Sequence, residues 1–191
     1  MKGMKEGMRL RFLVGLGLAS GLFTAAGCVT NIREAESSPK GPSEPFSNFR
    51  TIRLKHVTIG EAYVSKSANR NAAKKIDKVL FKEMKRLFPN KLQDVDTDGA
   101  EKKSFTNCIT VEPVIEEIKL KNHGLRLILR SFAGYSEVLM KVTFRDEKDF
   151  VIAKPEFYRN SSAFEGTYSS IDNAMLTEIA RDIAMYIAAN Q

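Results

Sequence analysis

The chain has 191 residues, 30 Lys and Arg against 23 Asp and Glu, a formal charge of +7, two cysteines, two histidines and no tryptophan. This is enough chain for one domain with a real core. Cys28 and Cys108 lie far apart in the chain and lack the paired-cysteine spacing of a zinc module.

The first segment, MKGMKEGMRLR, carries Lys2, Lys5, Arg9 and Arg11 against the single acid Glu6. An uncharged stretch follows from Phe12 to Ala26. A basic start, a short apolar run and small residues before a break are the marks of an export signal. The run is shorter than the roughly 20 apolar residues of a membrane-spanning helix. Gly15-Leu-Gly17-Leu-Ala-Ser-Gly21 has the look of a phosphate loop, but no strand precedes it, so the dinucleotide reading lacks its context. Ala25-Ala26-Gly27-Cys28 resembles the lipobox of bacterial lipoproteins, with Ala25 where Leu is usual. The resemblance implies cleavage between Gly27 and Cys28, lipid on the Cys28 thiol and acylation of the new amino terminus. One acyl chain attaches a protein only marginally, whereas several hold it in the bilayer. Val29 stands where enterobacterial lipoproteins retained at the inner membrane carry Asp. The expected location is therefore the cell envelope, with the outer membrane favoured and the domain facing the periplasm.

Loss of residues 1–27 removes four bases and one acid, leaving 26 against 22, a charge of +4. Cys108 then has no partner in the chain and reads as a half-buried thiol. Residues 28–48 are rich in Ser, Pro, Gly and charge, without apolar periodicity, and read as the lipidated cysteine and a disordered tether. About 20 such residues span on the order of 25 Å. The folded domain is expected over 49–191.

Ile52 and Leu54 alternate with Arg53 and Lys55, which predicts a strand. His56 continues on the face of Ile52 and Leu54 and reads as a hydrogen-bonded structural histidine. A helix is predicted from Asn69 to Phe88, with Ala73, Ile76, Val79, Leu80 and Leu87 as its apolar stripe. Lys74, Lys75, Lys78 and Lys82 on its other side are candidate contacts to an anionic surface. Asp94, Asp96, Asp98 and Gly99 faintly resemble a calcium loop, but the twelfth position is Phe105 rather than an acid, so no metal is expected. Ser104 to Lys121 reads as a strand with Phe105, Ile109, Val111 and Ile115 on one face. Pro113 implies an edge or bulge. Asn122-His123-Gly124 is a turn. Residues 138–144 alternate cleanly, Asp146 to Asp149 turn, and Phe150 to Ala153 return, which makes an antiparallel hairpin. The last helix is expected to begin near Ser169 or Ser170, with Ser169 and Asp172 in the manner of a capping box. Leu176, Ile179, Ala180, Ile183 and Ile187 form its buried stripe. The plan is α+β: a single domain, mainly an antiparallel sheet with two helices packed on one face.

RSFAGYSEVLMKVTFRD, followed by SSAFEGTYSSIDNAMLTEIARDIAMYIAAN, resembles a family of bacterial lipoproteins catalogued as domain of unknown function 4410. Arg130 and Gly134 match the Arg and first Gly of its middle stretch, and Ser136 stands where a second Gly is common. Gly166, Ser169, Asn173, Ala174 and Met175 match its final segment. The resemblance implies a lipid-anchored α+β domain and supplies no activity.

The sequence shows no G-x-S-x-G, no H-E-x-x-H and no other catalytic constellation. Asn160-Ser-Ser is a chance glycosylation match in a bacterial chain. The expected function is that of a non-enzymatic envelope lipoprotein, a binding or assembly subunit with a protein partner, no cofactor and no nucleic acid. The alternative is a periplasmic hydrolase with an unrecognised active site.

Overall fold

The computed structural model describes residues 32, 33, 35, 39–94, 107–120, 135–161 and 168–191, with the backbone alone for 94 and 168–172. The expectations placed on Cys28, His123, Arg130, Gly134 and Gly166 lie outside these residues. The domain is α+β, and among the described residues it is a seven-stranded sheet with two helices. Strands β1 (Thr51–Leu54), β2 (Thr58–Ile59) and β3 (Leu92–Asp94) flank helix α1 (Ser67–Leu87) in the chain. Strands β4 (Cys108–Lys119), β5 (Glu137–Arg145), β6 (Val151–Ala153) and β7 (Glu156–Asn160) precede helix α2 (Tyr168–Ala189). The spatial order is β3-β1-β4-β5-β6, with β2 also on β4 and β7 also on β5.

The pairings of β5 with β4, β6 and β7 are antiparallel, as the hairpin pattern predicts. β1 runs parallel to both β3 and β4, and β2 parallel to β4. Parallel neighbours need a crossover, and α1 supplies the one between β1 and β3.

Period-2 and period-3.6 stripes meet in one core. Ile109, Val111, Ile115 and Ile118 of β4 share it with Val138, Met140, Val142 and Phe144 of β5. Ile118 reaches the same face as Ile115 because an extra residue, Glu116, stands between the partners of Met140 and Leu139. Gly60 donates to the Ile115 carbonyl beside this bulge, and a β-carbon there would lie 3.4 Å from the Glu116 carbonyl oxygen. Ala72, Ala73, Ile76, Leu80 and Met84 of α1 cover the sheet together with Leu176, Ile179, Ala180, Ile183 and Ile187 of α2.

Several local expectations are corrected. Pro113 is neither at an edge nor at the bulge: it sits in β4 opposite Val142, in the middle of the sheet. The Val142 amide donates to Pro155, away from β4. Backbone direction alternates along a ladder, so the nitrogen of Pro113 points to the β1/β2 side. There β1 has ended, with Lys55 donating to Val111, and β2 begins only opposite Val114. The proline occupies that gap and no ladder bond is lost. β1 also stops before His56, which is exposed rather than core-facing. Helix α2 is described from Tyr168, close to the expected start, and Ser169 has helical backbone rather than standing before the helix as a cap.

The folded unit also begins before Phe49. Ser43 donates its amide to Ile152, and Phe46 donates its own to Asn190. Phe46 opens a short 3-10 turn, Phe46–Asn48, and is fully buried. Its ring stacks on Phe144 at 4.8 Å and meets Tyr186 edge-on at 6.0 Å. The Tyr186 hydroxyl donates to the Lys40 carbonyl. Further upstream, Ile32 is buried, and its amide donates to Glu137 on the sheet face away from the helices. We call the described residues between 32 and 48 the strap.

Phe46→Ala should lower unfolding free energy by about 3–5 kcal/mol, the range for a large buried aromatic. Urea denaturation of the mature chain measures it. A loss below about 1 kcal/mol would return this segment to the status of a tether.

Candidate functional site

Three features could meet a partner: the charged far face of the sheet, a groove beside α2, and the outer side of α1. On the far face, acids and bases interlock. Glu112 takes hydrogen bonds from Lys55 and Arg145. Lys141 bridges Glu116 at 3.0 Å and Glu156 at 3.6 Å, and Arg33 of the strap reaches Glu156 at 2.8 Å. Lys119 and the Tyr158 hydroxyl both approach Glu137. The Arg33 hydrogen bond holds the Glu156 carboxyl below its ordinary range, against a smaller upward push from burial. For Glu112 burial is the largest single influence and acts upward, yet the bonds from Lys55 and Arg145 together outweigh it and hold the group low.

The groove lies between β7, the strap and the last turns of α2, with a volume of about 560 Å³. Pro39, Phe157, Tyr158, Met185 and Tyr186 line it, with Glu156 among them. Arg159 and Asp182 close one side through a two-pronged pair, 2.6 and 2.7 Å, which ties β7 to α2. Met185 projects into solvent with 56% of its surface exposed. An apolar wall with its charges already paired suits the binding of a partner side chain or an apolar ligand better than acid–base chemistry.

On α1 the structure brings the predicted lysines together. Lys74, Lys78 and Lys82 are exposed on one side, Lys75 is half-buried beside them, and Lys85 extends the row. Elsewhere, His56 holds Asp77 through Nδ1 at 2.9 Å, and the second oxygen of Asp77 accepts the Val57 amide. That pair fastens the β1–β2 connection to α1. Cys108 is buried and free of disulfide. Ser136 is buried, its amide donating to the Ser161 hydroxyl. Asn173 is exposed, Ala174 half-buried and Met175 in the core. Among the described residues no group of three or more His, Cys, Asp or Glu could hold a metal ion, and no helix is long and apolar enough to cross a membrane. The groove was absent from the sequence reading. Its walls come from three distant segments, and EFYRN, the β7 sequence, is too short to announce itself.

No family model and no curated protein matches the chain. Solved structures resemble it at low identity. The PelC dodecamer from Paraburkholderia phytofirmans is 12% identical, with 73% of this chain and 89% of that one covered and a TM-score of 0.47. The hypothetical protein CT253 from Chlamydia trachomatis is 10% identical, with 74% and 99% covered and a TM-score of 0.42. A putative neuraminyllactose-binding hemagglutinin homolog from Helicobacter pylori is 9% identical, with 82% and 91% covered and a TM-score of 0.40. These are likenesses of outline, too distant to say what this chain binds or does.

The far-face carboxylates give a signed pH dependence. Glu112 and Glu156 have folded pKa values below the unfolded value of about 4.3. Their contribution is therefore present above that pH and is lost as pH falls through the folded values. Glu156→Gln should destabilise the protein at neutral pH by under about 1 kcal/mol, as partly exposed pairs do. The difference in melting temperature from the native protein should begin to shrink below about pH 4.3 and close as pH falls through the folded values. A gap that stays constant across that range would show that the pair contributes nothing through ionisation.

Proposed function

We propose that this chain is a lipid-anchored protein of the bacterial cell envelope, acting as a non-enzymatic binding or accessory subunit, outer membrane favoured, with its domain on the periplasmic side. Two observations of different kind support the reading. Ala25-Ala26-Gly27-Cys28 follows a basic start and a short apolar run, the arrangement a lipidating peptidase acts on. The groove walled by Phe157, Tyr158, Met185 and Tyr186 is the observation that carries the binding role. Its size suits apolar side chains of a partner, and its charges are already engaged: Arg159 with Asp182 holds β7 against α2, and Glu156 is paired with Arg33 and Lys141.

The strap bears on this role. Pro39 and Ala35 line the groove, and the Tyr186 hydroxyl that borders it is tied to the Lys40 carbonyl. The segment that leads from Cys28 into the domain therefore forms part of the wall. A partner seated there would touch both the domain and the chain that tethers it.

Growth with an alkyne fatty acid, followed by mass spectrometry of the mature amino terminus, tests the anchor. The native protein should be labelled and should begin at an acylated Cys28, and Cys28→Ser should carry no label. An unmodified protein cut elsewhere would sink the envelope-anchored reading. A photo-crosslinker at position 185 tests the groove: an adduct with a defined envelope protein is expected, and it should vanish with Tyr158→Asp. Adducts that survive that change would place the partner elsewhere.

A further inference from the structure

The basic excess of this protein is concentrated in one helix. Helix α1 holds Arg70, Lys74, Lys75, Lys78, Lys82, Lys85 and Arg86 against Asp77 and Glu83, a charge of +5. Residues 28–191 total +4, so everything outside α1 sums to −1. Both acids of the helix are occupied. Asp77 is held by His56 and the Val57 amide, and Glu83 lies between Arg86 at 2.9 Å and Arg181 at 3.7 Å. The far face of the sheet differs: there bases and acids alternate and pair.

Lys74, Lys78, Lys82 and Lys85 are exposed and project within an arc of about 80° at 100° per residue, along about 16 Å of axis. Four ammonium groups so placed can touch one plane together. The apolar side of α1 is already committed to the core through Ala72, Ala73, Ile76, Leu80 and Met84. The row itself consists of lysine alone. Protein interfaces are depleted in Lys and draw their energy from Trp, Tyr and Arg anchors. Lysine is a compact hydrated point charge, suited to a diffuse field of anions rather than to a shaped pocket. A bilayer rich in acidic phospholipid is such a field.

We infer that the Lys74–Lys78–Lys82–Lys85 row of α1 is a docking surface for anionic phospholipid headgroups. The inference rests on the envelope reading only for the source of the bilayer. It goes beyond it by naming the side of the domain that lies against lipid. The association is electrostatic, so it weakens as salt shortens the Debye length.

The test uses residues 28–191 with Cys28→Ser, so that no acyl chain contributes and the outcome does not depend on lipidation. Co-sedimentation at low ionic strength, where the Debye length is long, compares vesicles of phosphatidylcholine alone with vesicles of phosphatidylcholine and phosphatidylglycerol in equal parts. Binding to the second only is expected, and it should be abolished in high salt. Each Lys→Gln change in the row should weaken it about fivefold. The quadruple Lys→Glu variant should lose at least about a hundredfold on the same scale. The quadruple Lys→Arg variant should bind as well as the parent, and circular dichroism melts should show that both variants fold. Equal binding to the two vesicle types, binding to neither, or unchanged binding by the glutamate variant overturns the inference. So does capture of a soluble polyanion such as dextran sulfate without any binding to the acidic vesicles. Absence of fatty-acid label on Cys28 would sink the anchor and leave this result standing.

Discussion

The domain is organised around the ring of Phe144. It stands near the end of β5 on the core face, fully buried, and three segments distant in sequence converge near it. Phe46 of the strap stacks on it, and Tyr186 of α2 tilts against it at 5.7 Å. Phe157 of β7 meets Tyr186 edge-on at 5.8 Å. Aromatic pairs in such geometries contribute about 0.5–1.5 kcal/mol beyond their buried area. More consequential is what the cluster joins. The strap and the C-terminal helix each present one ring and the sheet two, so removing any one leaves a cavity bordered by the others. The groove is the outer side of this cluster: Phe157 and Tyr186 belong to both. A partner bound there would lean on a buried aromatic cluster, which favours a rigid, pre-formed site over one that must be ordered on binding.

What could be read beforehand and what could not divide by range. The stripes of α1 and α2 repeat every three to four residues over five or six turns, and every predicted member is buried except Val79 and Leu87, which are half-buried. The β5–β6 hairpin was legible because alternation and turn lie together, and Asp146 closes that turn by accepting the amides of Lys148 and Phe150. Phe46 was not legible, since a single aromatic among Pro, Ser and Glu has no period. Its burial depends on Phe144 and Tyr186, about 100 and 140 residues away. The Pro113 rule failed for the same reason. A central proline is costly only where a neighbour awaits its amide, and whether β1 or β2 reaches that point is a fact about other strands. The parallel pairing of β1 was hidden likewise, because strand direction is decided by where α1 returns the chain. Among the candidate sites, the lysine row was visible from spacing alone, while the groove is assembled from the strap, β7 and α2 and has no local signature.

Two surfaces of opposite electrostatic character follow from this architecture. On the far face of the sheet, side chains two residues apart point the same way and those on adjacent strands stand opposite one another. Glu112 with Arg145 and Lys55, and Lys141 with Glu116 and Glu156, fill such positions, so charge is cancelled where it arises. Arg33 of the strap joins this lattice, which gives the strap an electrostatic as well as an apolar attachment. On α1 the nearest same-side neighbours are three and four residues away, and positions 74, 78, 82 and 85 are all lysine. Like charges at that spacing cost a helix a few tenths of a kcal/mol per pair. Packing of Ile76, Leu80 and Met84 in the core compensates for that cost. The repulsion gives the row a reason to gain energy from any anionic plane brought against it.

Lipid and lysine would then do different work. Several acyl chains on Cys28 would hold the protein at a membrane irrespective of salt, because each buried methylene adds about 0.8 kcal/mol. A row of four lysines at about 1 kcal/mol each is too weak to retain a free protein at physiological ionic strength. Once the lipid supplies a high local concentration of bilayer, however, the same row is strong enough to choose an orientation, because the second contact no longer has to be made from dilute solution. The groove beside α2 and the lysine row of α1 share no residue, and Glu83 with Arg181 joins the two helices. Docking through the lysines would therefore use none of the groove's own side chains, and a partner in the groove would leave the charges of the row in place.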